Sequence, residues 1–177
     1  MSQLKVNSIV PVGGLPTGAK GGIIQVKQNI KTDTSSFEGS TGNYSGNITG
    51  LTETITTQSS SSQVLIILNT NFSTNSGQRT SFRILRGSTV LSVGDASSSV
   101  TRGIFPSMCN RDNDSQSVPC SMMILDAPGS AATHTYNVQG NAEASAGTVF
   151  INRTKGNNTS DSYHSGISSI TLMELGG

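Results

Sequence analysis

Residues 63–72 read QVLIILNTNF, with an unbroken apolar run from Val64 to Leu68. A short continuous run of this kind, flanked by polar residues, suits a β-strand buried on both faces. The same texture repeats outward from it. On the N-terminal side, SSSS at 59–62 is a polar connector, and LTETIT before it places Leu51 and Ile55 on one side. Farther upstream, GGIIQVKQNIK sets Ile24, Val26, Gln28 and Ile30 on one face, and TGNYSGNITG at 41–50 reads as a Gly/Asn loop.

On the C-terminal side, RTSFRILRGSTVLSVG predicts a hairpin about Gly87-Ser88. Phe82 and Ile84 face inward there, with Arg79, Arg83 and Arg86 at or near the surface. VPCSMMILDAPGS adds a buried run from Met122 to Leu125, ended by Pro128-Gly129. THTYNVQG puts His134, Tyr136 and Val138 on one face, and GTVFINR alternates Val149 and Ile151 against Phe150. ISSITLMELGG is apolar on both faces, Ile170 and Leu172 against Met173 and Leu175. Such a strand cannot be an exposed edge. It lies centrally in a sheet or against another subunit, which makes Leu172, Met173 and Leu175 oligomer-interface candidates. Turn signals recur at the spacing of a sandwich or barrel, about 8–12 residues. The expectation is an all-β chain: a single sandwich or barrel of about 8–10 antiparallel strands over residues 22–177, preceded by an extended arm over 1–21.

Composition agrees with strands. Only 33% of residues are hydrophobic, 5% aromatic and 12% charged, and Trp is absent. Scarce Leu, Lys and Glu disfavour helices, while Thr, Val and Ile favour strands. Net charge is +1, which lacks the basic footprint that nucleic-acid binding needs. The charge is uneven: Lys5, Lys20, Lys27 and Lys31 give +4 over residues 1–32, and the remaining seven basic and ten acidic residues give −3. A cationic arm suits an acidic docking surface. No signal peptide is visible and no run approaches the ~20 apolar residues of a membrane span. Synthesis in a reducing cytoplasm without membrane insertion is expected.

Catalytic chemistry finds no foothold. His134 and His164 stand outside any nucleophile or metal motif. GGLPTGAKGG resembles a phosphate loop only superficially, because Ala19 occupies the lysine position and Gly21 follows Lys20. Asp112, Asn113 and Asp114 are oxygen-rich but lack the remaining ligands of a calcium loop. Cys109 and Cys120 bracket that same loop at a spacing that would let a disulfide close. A reducing compartment would keep the pair open, and a later oxidising one would close it. Two cysteines alone make no structural zinc site. The expectation is no enzyme, no cofactor and no metal.

The arm is the remaining signal. Leu4, Val6 and Val10 share an apolar edge of an extended segment, and Pro11 and Pro16 discourage helix. A segment like this finds its backbone partners on another protein's strand edge.

MSQLKVNSIVPVGGLPTGAKGGIIQVKQ resembles the opening of small structural proteins of marine tailed phages that infect cyanobacteria. SSSSQVLIILNTN, RTSFRILRGSTVL, SMMILDAPGS, THTYNVQG, GTVFINR and SSITLMEL extend the likeness over nearly the whole chain. The resemblance implies a virion appendage, a tail fibre or a capsid knob or fibre. Its head would be a homotrimer similar to the jelly rolls of tumour necrosis factor and complement heads. It also implies that residues 1–21, through Leu4, Val6, Val10, Pro11 and Pro16, anchor the head to other virion proteins at the particle surface. It brings no catalytic residues. Loops 39–50, 107–119 and 153–166 are the candidate surface for a host glycan, with Tyr44, Arg111, Tyr163 and His164 able to stack on or hydrogen-bond a sugar. The alternative is a free carbohydrate-binding, lectin-like module with the arm as a mere linker.

Overall fold

The computed structural model describes residues 22–39, 43–75, 78–91, 93–98, 101–105, 116–142, 147–156 and 164–177, with the backbone alone at 108–109. The arm residues Leu4, Val6, Val10, Pro11 and Pro16 lie outside the described residues, as do Arg111, Tyr163 and the side chain of Cys109. The strands are β1 (Ile23–Lys31), β2 (Ser35–Glu38), β3 (Tyr44–Thr56), β4 (Gln63–Thr74), β5 (Arg79–Arg86), β6 (Thr89–Leu91), β7 (Met108–Cys109), β8 (Val118–Asp126), β9 (Thr133–Ala142), β10 (Thr148–Ile151) and β11 (Ser168–Leu175). The fold is all-β, and the two sheets curl against each other as a jelly-roll-like sandwich.

The first sheet is organised by β4. On one side β4 pairs β11 along its first half and β10 at its end; on the other it pairs β8. β1 then pairs β11, and β2 pairs β10. The second sheet runs β3-β9-β5-β6, with β7 also on β5. The apolar run at 64–68 is thus a central strand, but it is fully buried on one face only. Val64, Ile66 and Leu68 are fully buried, whereas Leu65 and Ile67 on the other face are half-buried. The closing strand is central too, between β1 and β4, with Ile170 and Leu172 fully buried. Leu172 therefore serves the chain's own core and not a subunit contact.

Between the sheets, Phe72 of β4 meets Phe82 of β5 edge to face at 5.4 Å. Leu51, Ile55, Ile84, Tyr136, Val138, Val149 and Ile151 complete the core. Gly140 sits where β9 passes beneath Phe37, and a Cβ there would fall 2.2 Å from the ring.

Several sequence expectations change. TGNYSGNITG is not a loop: from Tyr44 it is the first half of β3. Register shifts at Tyr44/Asn47 and Asn47/Thr52, and a positive φ of 85° at Gly50, let this glycine- and asparagine-rich stretch follow β9. Met122–Leu125 is not a buried run, because among the described residues β8 pairs only with β4 and its residues alternate, leaving Met123 and Leu125 exposed. β1 is also inside out. Gln25 and Asn29 face the core side, while Val26 and Ile30 are half exposed.

The inverted β1 has a use. Gln25 donates to the carbonyl of Thr56, and Asn29 to that of Thr52. These side chains cap the free edge of β3 across the seam between the sheets. Gln25 also donates to Glu174 at 2.6 Å, whose other oxygen accepts the Gln58 N–H at 2.6 Å. Burial pushes the Glu174 carboxyl up, but the hydrogen bonds from Gln25 and Gln58 outweigh it and hold it below its usual range. The Ser62 hydroxyl adds a further pull, although it reaches no acceptor with good geometry.

At another point of the sandwich, Arg86 of β5 makes two hydrogen bonds to Asp126 of β8, at 2.8 and 2.6 Å. Tyr136 of β9 donates to the same carboxylate at 2.7 Å. Burial, reinforced by Asp126, pushes the Tyr136 hydroxyl well above its usual pKa. The cluster ties the two sheets together. In the loop after β10, Asn152 adopts φ 62° and is fully buried, donating to the carbonyls of Lys31 and Asp33.

Two outcomes follow. Asp126→Asn leaves Arg86 without its carboxylate and should cost about 2 kcal/mol in urea unfolding. For Glu174, a folded pKa below the unfolded one gives stability that is present above the unfolded pKa. It is lost as pH falls from the ordinary carboxyl value of 4.5 toward the folded pKa. Glu174→Gln should therefore flatten the acid limb of a melting-temperature profile, and an unchanged limb would contradict this account.

Candidate interaction surfaces

The first surface is the outer face of β1–β11–β4–β8. Residues opposite one another on neighbouring strands share a face, so the ladder registers define rungs. One rung is Val26, Met173, Leu65 and Leu125, apolar on all four strands. The next is Gln28, Thr171, Ile67 and Met123. Beside the first rung, on its other side, Ile23 faces Leu175. At 4.7–4.9 Å per strand the apolar rung spans about 14 Å. Met123 is 62% exposed, Ile23 60%, Val26 51% and Leu125 48%. Toward the far end the face turns polar on three strands, with Ser169, Asn69 and Ser121 in one rung beside Ile30 of β1, and Ser121 donating to Asn69 at 2.6 Å.

Contiguous exposed apolar area on a folded domain marks an interaction site. Of the interface candidates read from the sequence, Met173 and Leu175 lie on this face, half-buried, while Leu172 points the other way. Leu65, Ile67, Met123 and Leu125 were not recognised. Their alternation was hidden inside runs that read as continuously apolar.

The second surface is the outer face of β3–β9–β5. Tyr44 opposes Asn141, Asn47 opposes Gln139, and Arg83 also opposes Gln139. The Arg83 guanidinium lies 4.1 Å from the centre of the Tyr44 ring. Its Nε and Nη2 both donate to Gln139 Oε1, at 2.9 and 2.7 Å. Gln139 in turn donates to Asn47 Oδ1 at 2.9 Å. Tyr44 Oη donates to the Arg102 carbonyl at 2.7 Å and lies 3.3 Å from Ser81 Oγ. Burial pushes the Tyr44 hydroxyl above its usual pKa. A cleft of about 160 Å³ adjoins the row at Asn47. It lies between β2 and β3 and is lined by Ser35, Ser36, Phe37, Ser45 and Thr49 among others.

Tyr44 was singled out from the sequence as a loop residue; it stands on a strand, half-buried and fixed. Arg83 read only as a surface arginine, because nothing local announces which side chains two other strands will bring beside it. His164 is exposed and apart from this row in the chain, in the segment before β11. Cys120 holds a free, half-buried thiol 2.7 Å from Thr70 Oγ1. Burial pushes its pKa up against the opposing pull of that hydrogen bond. Among the described residues, no group of three or more His, Cys, Asp or Glu is placed to hold a metal, and no helix is long and apolar enough to cross a membrane.

The geometry defines a class, a jelly-roll-like β-sandwich with one apolar and one polar outer face. No protein-family model matches the chain, and no curated protein matches it.

Tyr44→Phe should remove the bond to the Arg102 carbonyl and cost about 1 kcal/mol in denaturant unfolding. The ring stacking and the fold should persist in the near-ultraviolet dichroism spectrum.

Proposed function

We propose that the protein is a structural subunit of a phage virion, an appendage of the tail-fibre or capsid-knob type displayed at the particle surface. Its head assembles as a homotrimer, and residues 1–21 tether it to other virion proteins. The head takes part in attachment to the host surface. The sequence resemblance supplies the virion setting and the threefold state. The structural observation that carries the assembly reading is the outward apolar rung of Val26, Met173, Leu65 and Leu125. A chain with 12% charged residues keeps charge off this rung and the next, so an apolar, uncharged partner fits it best. A second and third copy present that same chemistry.

Val26 and Leu125 stand on β1 and β8, so they can be altered without disturbing the core. Val26→Lys with Leu125→Lys should shift sedimentation from trimer to monomer. Such exposed positions cost within about 0.5 kcal/mol in monomer stability. A wild-type chain that sediments as a monomer overturns the assembly reading. Removing residues 1–21 separates the tether from the free lectin-like alternative. The shortened trimer should no longer associate with particles, whereas retained association would favour binding through the head.

A further inference from the structure

We propose that the Arg83 row on the outer face of β3–β9–β5 binds an acidic sugar, with the guanidinium reading a uronate carboxylate and the adjoining amides and hydroxyls reading the ring. This deepens the attachment reading above and rests on it for where such a sugar is met, not for the binding chemistry.

The argument starts from unused hydrogen-bonding capacity. A guanidinium carries five N–H donors in a planar fork. Arg83 spends its Nε and one Nη2 hydrogen on Gln139 Oε1, which leaves the end-on edge formed by Nη1 and Nη2. Gln139 is neutral, and no described carboxylate forms an ion pair with Arg83. By contrast, Arg86 three residues on spends itself on Asp126. The cation at Arg83 is thus held in place and, among the described residues, not neutralised. It is held from two sides, by the Tyr44 ring at 4.1 Å and by the Gln139 oxygen. Fixing the fork before binding lowers the entropic cost of a bidentate carboxylate contact.

The surroundings select among carboxylates. Gln139 passes its own hydrogen bond to Asn47, which among the described residues leaves both N–H donors of the exposed Asn47 amide for a ligand. Asn47 also lines the cleft with Ser35, Ser36 and Ser45, over Phe37. The cleft, of about 160 Å³, is open on one side and large enough to admit a ring-sized group. One fixed cation beside amides and hydroxyls fits a ligand with one acid group per ring and many hydroxyls. A polyacidic peptide would call for several cations in a row.

The test uses the full chain and three probes: a tetramer of galacturonic acid, the same tetramer with its carboxyls reduced to alcohols, and tetraglutamate. Calorimetric titration should show saturable binding of the galacturonate tetramer alone, weakened by added salt. Arg83→Met should lose at least tenfold in affinity. Arg83→Lys, which keeps charge without the fork, and Asn47→Ala should each lose several-fold. Melting curves establish that every variant is folded; if Arg83→Met is not, the other two decide. Equal binding of the reduced tetramer, equal binding of tetraglutamate, wild-type affinity in Arg83→Lys and Asn47→Ala, or no binding of the galacturonate tetramer overturns the proposal. Sedimentation of the same samples keeps the two readings apart. A trimer that ignores the uronate defeats this inference alone, and a monomer that binds it defeats the assembly reading alone.

Discussion

A strand with an unbroken apolar run has two faces averse to water along it, and one sandwich can cover only one of them. β4 imposes this constraint on the whole molecule. Val64, Ile66 and Leu68 are spent on the core, so Leu65 and Ile67 must face the other way. β11 repeats the arrangement with Ile170 and Leu172 inside and Met173 and Leu175 outside. Because β1 and β8 flank this pair, their own outward residues extend the apolar area instead of interrupting it. The outer face is therefore built by the same strands that build the core, and neither can be redesigned without the other.

The small apolar fraction of the chain shows in how the seams are closed. Where two sheets diverge, a larger protein would insert bulky side chains. Here polar groups do the joining: Gln25 and Asn29 on the β3 edge, Glu174 between Gln25 and Gln58, and Asp126 between Arg86 and Tyr136. Each is costly if left unpartnered in a low-dielectric interior, and each is satisfied by partners distant in sequence. These contacts fix how the sheets sit on one another, which a core of interchangeable aliphatic side chains does less well.

Much of the fold was legible in the sequence because period-two alternation survives in it. The β5–β6 hairpin at Gly87, the inward faces of β9 and β10, and the exclusion of β11 from an exposed edge all follow from residue pattern. What was not legible depends on partners far along the chain. The first half of β3 looks like a loop because its ladder comes from β9, with bulges absorbing the glycines. β1 reads as an ordinary strand, and only its register against β11 shows that its apolar face is turned outward. The candidate surfaces were the least legible part. Tyr44 was noticed for its type, but Arg83, Gln139 and Asn47 acquire meaning only once three strands align them.

The register of β1 has a mechanical consequence. β1 is held to β11 by a ladder running from Ile23 opposite Leu175 to Lys31 opposite Ser168, with Gly176 donating to the Gly22 carbonyl just beyond it. A pull applied at residue 22 along the strand axis loads all these bonds in parallel, whereas a pull across the axis breaks them one after another, beginning at that Gly22 clasp. The molecule is therefore stiff to tension in one direction and yields by peeling in the other, so its resistance to force depends on the angle at which the load arrives.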